Sequence, residues 1–208
     1  MFAPETGRFL LPTLLLLLVL SALVAVGSLP HSYIFLVILA IGFSFWAFFA
    51  SFYRDPRRTP GRGIVSPADG RVLEIERADD RVRIAVFMGL SDVHINRFPV
   101  SGRVEAIDDS GEGYRPAYLP DARHNVQRRY TLSTDLGKVE VVQMTGLVAK
   151  RIISFVGVGD AREKGERLGM IVLGSRVDLV LPADRVRVSV EVGDRVRAGE
   201  SSLARERS

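Results

Sequence analysis

Cysteine is absent from all 208 residues. Disulfides, thiolate metal sites and a cysteine nucleophile are therefore excluded, and the absence fits any redox compartment. Lysine is nearly absent as well, with only Lys138, Lys150 and Lys164, so arginine carries almost all of the basic charge behind a formal net charge of +4. A basic balance admits nucleic acid or an anionic membrane surface as a partner. The arginines are scattered and have no aromatic stacking platform beside them, so a nucleic-acid partner is not expected. No His/Asp/Glu spacing reads as a metal site, and none is expected.

Two stretches lack charge altogether. Residues 9–29 read FLLPTLLLLLVLSALVAVGSL and residues 33–53 read YIFLVILAIGFSFWAFFASFY. As helices, 21 residues span roughly 31 Å, about one hydrocarbon core. Only Pro30-His31-Ser32 separates them, which predicts a transmembrane helical hairpin over residues 1–53 with both ends on one side of the bilayer. Ala25-Val26-Gly27 resembles a signal-peptidase site. Against cleavage there stand the length of the apolar run, Glu5 in the leading segment, and a second span that follows at once. Arg54, Arg57, Arg58 and Arg62 crowd the exit of the second run, and the connecting turn carries no fixed charge. The positive-inside rule then places the hairpin ends and everything after them in the cytoplasm, on a multi-pass protein of the inner or plasma membrane. The same arginines suit anionic headgroups.

Residues 54–63 (RDPRRTPGRG) form a short basic linker, and from Ile64 the pattern changes to short period-2 runs. Examples are Val82-Ile84-Val86, Val139-Val141, Val177-Leu179-Leu181 and Val186-Val188-Val190-Val192, each bounded by Gly, Asp, Asn or Pro. These predict a mainly β domain over 64–208. Residues 108–125 (DDSGEGYRPAYLPDARHN) read as one long surface loop. A weak repeat pairs Val158-Gly159-Asp160 and Gly165-Glu166 with Val192-Gly193-Asp194 and Gly199-Glu200, offset by 34 residues. Such Gly-Asp turns resemble the hairpins of lipoyl- and biotinyl-type barrel sandwiches, a likeness of architecture only.

In Met170-Ile171-Val172-Leu173-Gly174-Ser175-Arg176-Val177-Asp178 two strand-like runs meet at a Gly-Ser pair. Alone, such a pair is turn punctuation. Its weight changes in company with Phe52-Tyr53-Arg54-Asp55-Pro56, Ser66-Pro67-Ala68-Asp69-Gly70, Asp92-Val93-His94-Ile95-Asn96-Arg97-Phe98-Pro99 and Gly146-Leu147-Val148-Ala149-Lys150-Arg151-Ile152-Ile153. In this order behind an apolar N-terminus, the segments resemble the phosphatidylserine decarboxylase family, in its short bacterial and archaeal branch. The resemblance covers about the whole chain. It implies self-cleavage between Gly174 and Ser175, giving a long chain 1–174 and a short chain 175–208, with Ser175 converted to a covalent pyruvoyl group.

The chemistry has an independent rationale. The Ser175 hydroxyl stands next to the Gly174 carbonyl, so an N→O acyl shift gives an ester, and elimination and hydrolysis then leave a ketone. Decarboxylation of an α-amino acid leaves a carbanion. A ketone that forms a Schiff base with the substrate amine drains that charge, as pyridoxal phosphate does, so neither an external cofactor nor a metal is needed. By the resemblance, Asp69 assists processing and His94 acts near the pyruvoyl group. Histidine suits proton transfer near neutral pH, as base in processing or as the acid that protonates the carbanion. Read without the resemblance, Asp69 is a turn residue in Pro-Ala-Asp-Gly and His94 a core histidine. Long-branch members carry a second histidine where this chain has Arg97, and an arginine is no base. Either His94 does both jobs, or strain at Gly174 with Asp69 suffices. Arg97 suits a substrate carboxylate or phosphate, or a structural ion pair.

The partners expected are a lipid with a phosphoserine headgroup, the bilayer, and the chain's own two fragments held together; a homodimer is admitted. Phosphatidylserine is the substrate expected, with archaetidylserine or a related lipid as the alternative. The non-enzymatic alternative is a membrane-anchored lipoyl- or biotinyl-like carrier or adaptor, for which Lys164 and Lys150 are the lysines to consider.

Overall fold

A computed structural model describes residues 6–27, 33–147, 151–172 and 175–207. The chain divides into two compact units, Met1–Arg57 and Arg58–Ser208.

The first unit is two helices, α1 (Gly7–Ala25) and α2 (Tyr33–Phe52). They pack antiparallel. The Trp46 indole N–H donates to the Leu10 carbonyl at 2.9 Å, and a Cβ on Gly42 would come within 2.9 Å of Leu17 Cδ2. Leu10 thus meets the far end of α2, and Leu17 meets its middle. Apolar residues project on all sides of α2, the pattern of a helix whose surroundings are themselves apolar. By length and composition α2 is the one described helix able to cross a membrane. The first run is shorter than its apolar sequence suggests. Helix α1 ends at Ala25, where Gly27 takes φ +74° and donates its N–H to Val24 O, so the apolar stretch Leu10–Ala25 rises only about 24 Å. The turn expected at 30–32 lies outside the described residues.

The second unit is mainly β. In chain order its strands are β1 (Ile64–Val65), β2 (Gly70–Arg77), β3 (Arg81–Met88), β4 (Ile95–Arg97), β5 (Gly102–Ser110), β6 (Gln127–Thr134), β7 (Gly137–Met144), β8 (Ile152–Ser154), β9 (Ala161–Arg162), β10 (Arg167–Ile171), β11 (Ser175–Pro182), β12 (Val186–Val188), β13 (Arg195–Val196) and β14 (Ser202–Glu206). Eight form one sheet in the order β13-β2-β3-β11-β7-β6-β5-β9, and its ladders are antiparallel. Two three-stranded sheets, β1-β14-β12 and β4-β10-β8, complete the unit. The period-2 runs land in these strands, although β12 stops at Val188. Val82, Ile84 and Val86 of β3 join Val177, Leu179 and Leu181 of β11 in the buried core, each worth roughly 1.5–3 kcal/mol as a buried side chain. The segment expected to be one loop over 108–125 is divided: its first three residues extend β5, and a 3₁₀ turn, Pro120–His124, closes it.

The repeat is physical. Each Val-Gly-Asp turn leads into a two-residue strand at one edge of the large sheet, β9 on β5 and β13 on β2. The later glycines of the two copies meet: a Cβ on Gly199 would lie 3.4 Å from Gly165 Cα and 3.1 Å from Arg97 Cδ. Both glycines have positive φ, where a side chain is strained.

Candidate active site

β11 lies in the interior of the large sheet, between β3 and β7, and Ser175 is its first residue. Gly174, the other half of the expected cleavage site, is outside the described residues. Alternation sends Ser175, Val177 and Leu179 to the core face and Arg176 and Asp178 to the opposite face. Ser175 is fully buried, and its hydroxyl donates to the sulfur of Met88, its register partner on β3, at 3.7 Å.

Met88 accepts a second donor. Asn96 of β4 donates its side-chain N–H to the same sulfur at 3.6 Å, and its Oδ1 accepts from Gln143 Nε2 at 2.6 Å. Gln143 Oε1 in turn accepts from the Tyr130 hydroxyl at 3.0 Å. Burial pushes the Tyr130 phenol above its ordinary value, so it stays protonated and serves as the donor. All five side chains are buried. Tyr130, Gln143, Asn96, Met88 and Ser175 thus form one polar chain through the core, with every donor facing an acceptor. Close backbone approach makes room for it: a Cβ on Gly169 would come within 3.3 Å of Gln143 Nε2 and 3.2 Å of the Tyr130 hydroxyl.

His94 precedes β4 by one residue and is fully buried. Its carbonyl accepts from the N–H of Ile171 at 3.4 Å, in β10, the strand that precedes Ser175 in the chain. Its Nδ1 lies 2.9 Å from the Asp92 carbonyl oxygen, so Nδ1 carries the proton and Nε2 the lone pair in the neutral ring. The DVHIN segment therefore supplies both His94 and Asn96 beside the same strands.

A model of the family described as phosphatidylserine decarboxylase matches residues 45–204. A Halobacterium salinarum protein carried under the name archaetidylserine decarboxylase proenzyme is 42% identical over 206 residues, 97% of each chain. A Thermobifida fusca protein named phosphatidylserine decarboxylase proenzyme is 43% identical over 159 residues, 76% of this chain and 73% of its own. A Streptomyces coelicolor protein of that same name is 43% identical over 158 residues, 74% of this chain and 72% of its own. The chain belongs to the phosphatidylserine decarboxylase family.

Two residues that the family resemblance singles out sit apart from the serine in this decarboxylase-family chain. Asp69 Oδ2 accepts from Arg58 Nη2 at 2.7 Å, and Oδ1 accepts from the backbone N–H of Ala198 at 2.7 Å. Arg58, expected in an exposed basic collar, is instead drawn inward, with its side chain only 7% exposed. Asp69 stands just before Gly70, which abuts β3 so closely that a Cβ there would lie 2.0 Å from Phe87 O. β3 separates β2 from β11, so Asp69 is two strand spacings from Ser175, about 10 Å across the sheet. Arg97 is mostly buried and donates to the Gly165 carbonyl at 2.9 Å, at the meeting point of the two repeat turns.

The other face of β11 holds an ion-pair network. Arg176 contacts Asp178 through Nε at 2.6 Å and Nη2 at 3.0 Å, Asp178 also accepts from Arg83 at 2.7 Å, and Glu74 bridges Arg83 and Arg176. Burial works against the charge on Arg83, but hydrogen bonds to Glu76 and Asp178 outweigh it and hold the guanidinium pKa above its ordinary value. Among the described residues no group of three or more His, Asp or Glu side chains is arranged to hold a metal ion. Sequence reasoning missed Met88, Gln143 and Tyr130. Asn96 lay in plain view inside the DVHINRFP motif, but its partners come from strands distant in the chain.

Proposed function

We propose that this chain cuts itself between Gly174 and Ser175 and uses the resulting N-terminal pyruvoyl group to decarboxylate a lipid with a phosphoserine headgroup, yielding the ethanolamine lipid. The observation that carries the reading is Ser175 itself: a buried hydroxyl at the first position of an interior strand, in a chain of this family. The relatives' names differ in lipid backbone and share the headgroup, so the reading commits to the headgroup, with phosphatidylserine first and archaetidylserine as its alternative.

Processing needs only the chain's own atoms. Ser175 Oγ attacks the Gly174 carbonyl, and the peptide bond becomes an ester as the nitrogen departs. Elimination breaks the Cβ–O bond, leaving a carboxylate on Gly174 and dehydroalanine at 175; water then enters and ammonia leaves. The residues present fit the group, since position 175 is shielded from solvent and paired with Met88, and the next residue, Arg176, is paired on both sides. A pyruvoyl group supplies an electrophilic carbonyl that takes the substrate amine and draws off the electrons released with CO2. His94 moves the proton at Nε2, from Ser175 in processing or to the substrate carbon in turnover. Asp69 is a positioning residue that ties Arg58 to the 175–208 segment. That segment stays bound after cutting, because β11 runs between β3 and β7 and β14 between β1 and β12. Residues 1–53 anchor the enzyme in the inner or plasma membrane as a hairpin, with residues 64–208 on the cytoplasmic side.

Denaturing electrophoresis with intact mass of the purified protein tests this. The expected result is two chains, 1–174 and 175–208, the shorter lacking a free amine. Ser175→Ala is expected to stay uncut and inactive. A continuous wild-type chain that still turns over lipid overturns the reading.

A further inference from the structure

The strand ends around Ser175 are level. Met88 pairs with Ser175, Arg176 with Met144, Met144 with Gln127, and Gln127 with Ser110. The connections that leave β3, β5 and β7 at those residues therefore all emerge at the edge of the sheet where β11 begins. Those connections carry most of the exposed large hydrophobic residues described in the second unit. Beyond residue 58, the exposed large hydrophobic residues among those described are Leu90, Tyr114, Tyr118, Leu119, Leu147, Val158 and Val192. The first five belong to the connections at the Ser175 edge, and Leu147 is 64% exposed. The last two sit in the Val-Gly-Asp turns.

The rim is built, not frayed. Tyr118 packs edge-on against Phe87 of β3, with ring centroids 5.9 Å apart, and yet remains 56% exposed. Asn125 fastens the loop by accepting from the Arg115 N–H at 2.8 Å and donating to the carbonyls of Arg115 and Thr145, both at 2.7 Å. Arg115, Arg123 and Arg151 are exposed on the same connections, as is Glu112.

We infer that this rim is a membrane-docking surface, and that its partner is the interfacial layer of a phospholipid bilayer. Leucines with tyrosines and arginines are the mixture that settles at the headgroup boundary, where rings and aliphatic groups leave water while polar tips stay wet. The inference rests on the proposed function in one respect. A lipid with its acyl chains in the bilayer reaches a buried residue 175 only if the edge carrying that residue faces the bilayer. Docking by the rim brings the headgroup to Ser175 without lifting the lipid out.

Full-length protein reconstituted in phosphatidylcholine vesicles, with bromine on the acyl chains, tests the surface directly. The parent chain has one tryptophan, Trp46, which sets a constant background. Tyr118→Trp and Leu147→Trp are expected to add fluorescence that brominated lipid quenches. Val158→Trp is equally exposed at a Val-Gly-Asp turn and is expected to add fluorescence that is not quenched. No added quenching at 118 and 147, or equal quenching at 158, overturns the inference. This readout does not depend on turnover, so it separates from the proposed function, which fails if the parent chain stays uncut. A second measurement uses Leu119→Asp with Leu147→Asp. The ratio of turnover on vesicle lipid to turnover on a water-soluble short-chain analogue is expected to fall about tenfold, and an unchanged ratio overturns the inference.

Discussion

Ser175 Oγ lies 3.7 Å from the sulfur of Met88, its direct partner across the β3–β11 ladder. A thioether is a weak acceptor, so this contact aims the hydroxyl without ionising it. The proposed attack on the Gly174 carbonyl needs another acceptor for that proton, and the lone-pair nitrogen Nε2 of His94 is the one proposed.

Met88→Leu removes the acceptor and nearly conserves volume. Stability is expected to change by less than ~1.5 kcal/mol. Formation of the 175–208 fragment is expected to slow about tenfold, because the hydroxyl is no longer held toward one geometry. A time course of fragment appearance on denaturing gels, beside a urea unfolding curve, separates the two effects.

The chain behind Met88 has a different signature. Gln143→Leu leaves Tyr130 OH and Asn96 Oδ1 buried without their partner, at a cost of about 1–3 kcal/mol for each group. Tyr130→Phe alone takes the donor from Gln143 Oε1. In the Gln143→Leu background it is expected to cost nothing or to restore stability. A double-mutant cycle in urea reads this coupling, and additive losses would mean that the hydroxyl and the amide act separately.

The architecture was legible where a local rule decides it. Alternating Val, Ile and Leu marked β3, β7 and β11, and Ser175 fell at the opening of a strand. The Val-Gly-Asp repeat survived as paired edge strands, since Gly and Asp dictate turns wherever they stand. Contacts between distant strands were not legible. Nothing in the spacing of Asn96, Gln143 and Met88 says that three strands bring them together. Asp69 read as either a turn residue or a residue that assists processing, and neither reading contains Arg58 or the Ala198 N–H. Helix α1 was read too long because an uncharged run does not reveal that Gly27 breaks it.

The Arg58–Asp69 clasp joins the start of the second unit to Ala198, in the proposed short chain 175–208. Its side chains are 7% and 11% exposed, so breaking the pair leaves the buried guanidinium with Glu200 and the Ala198 carbonyl alone, at up to about 3 kcal/mol. Asp69→Asn keeps an acceptor for Ala198 N–H but loses the charge. The expected outcome is slower cutting and, once cut, release of the 175–208 fragment at lower urea than in the wild type. Size-exclusion chromatography across a urea series measures the release. Asp69→Glu is expected to recover part of both.

His94→Ala keeps Ser175, Met88 and Asn96 in place. If His94 serves turnover alone, the variant is expected to cut at the wild-type rate and show no decarboxylation; if it serves both steps, it stays uncut. Single-turnover assay of pre-cut protein, beside the gel, assigns the proton transfer to one step or to both.

Acid is expected to loosen the outer face of the sheet before the core. Hydrogen bonds from Arg83 and then Arg123 hold the Glu76 carboxyl at about 2, against its usual 4.5. A carboxyl with a folded pKa below its unfolded one adds stability that is complete above pH 4.5 and disappears as pH falls toward 2, because the unfolded chain takes up the proton first. Glu76 is about half exposed, so solvent and salt screen the effect. Melting temperature is therefore expected to drop between pH 4.5 and 2, less steeply in 1 M NaCl. Glu76→Gln is expected to start lower at pH 6 and to lose less on the way down. An identical slope in that variant would move the acid sensitivity to another carboxylate, with Asp109, held low by Arg128, the next to replace.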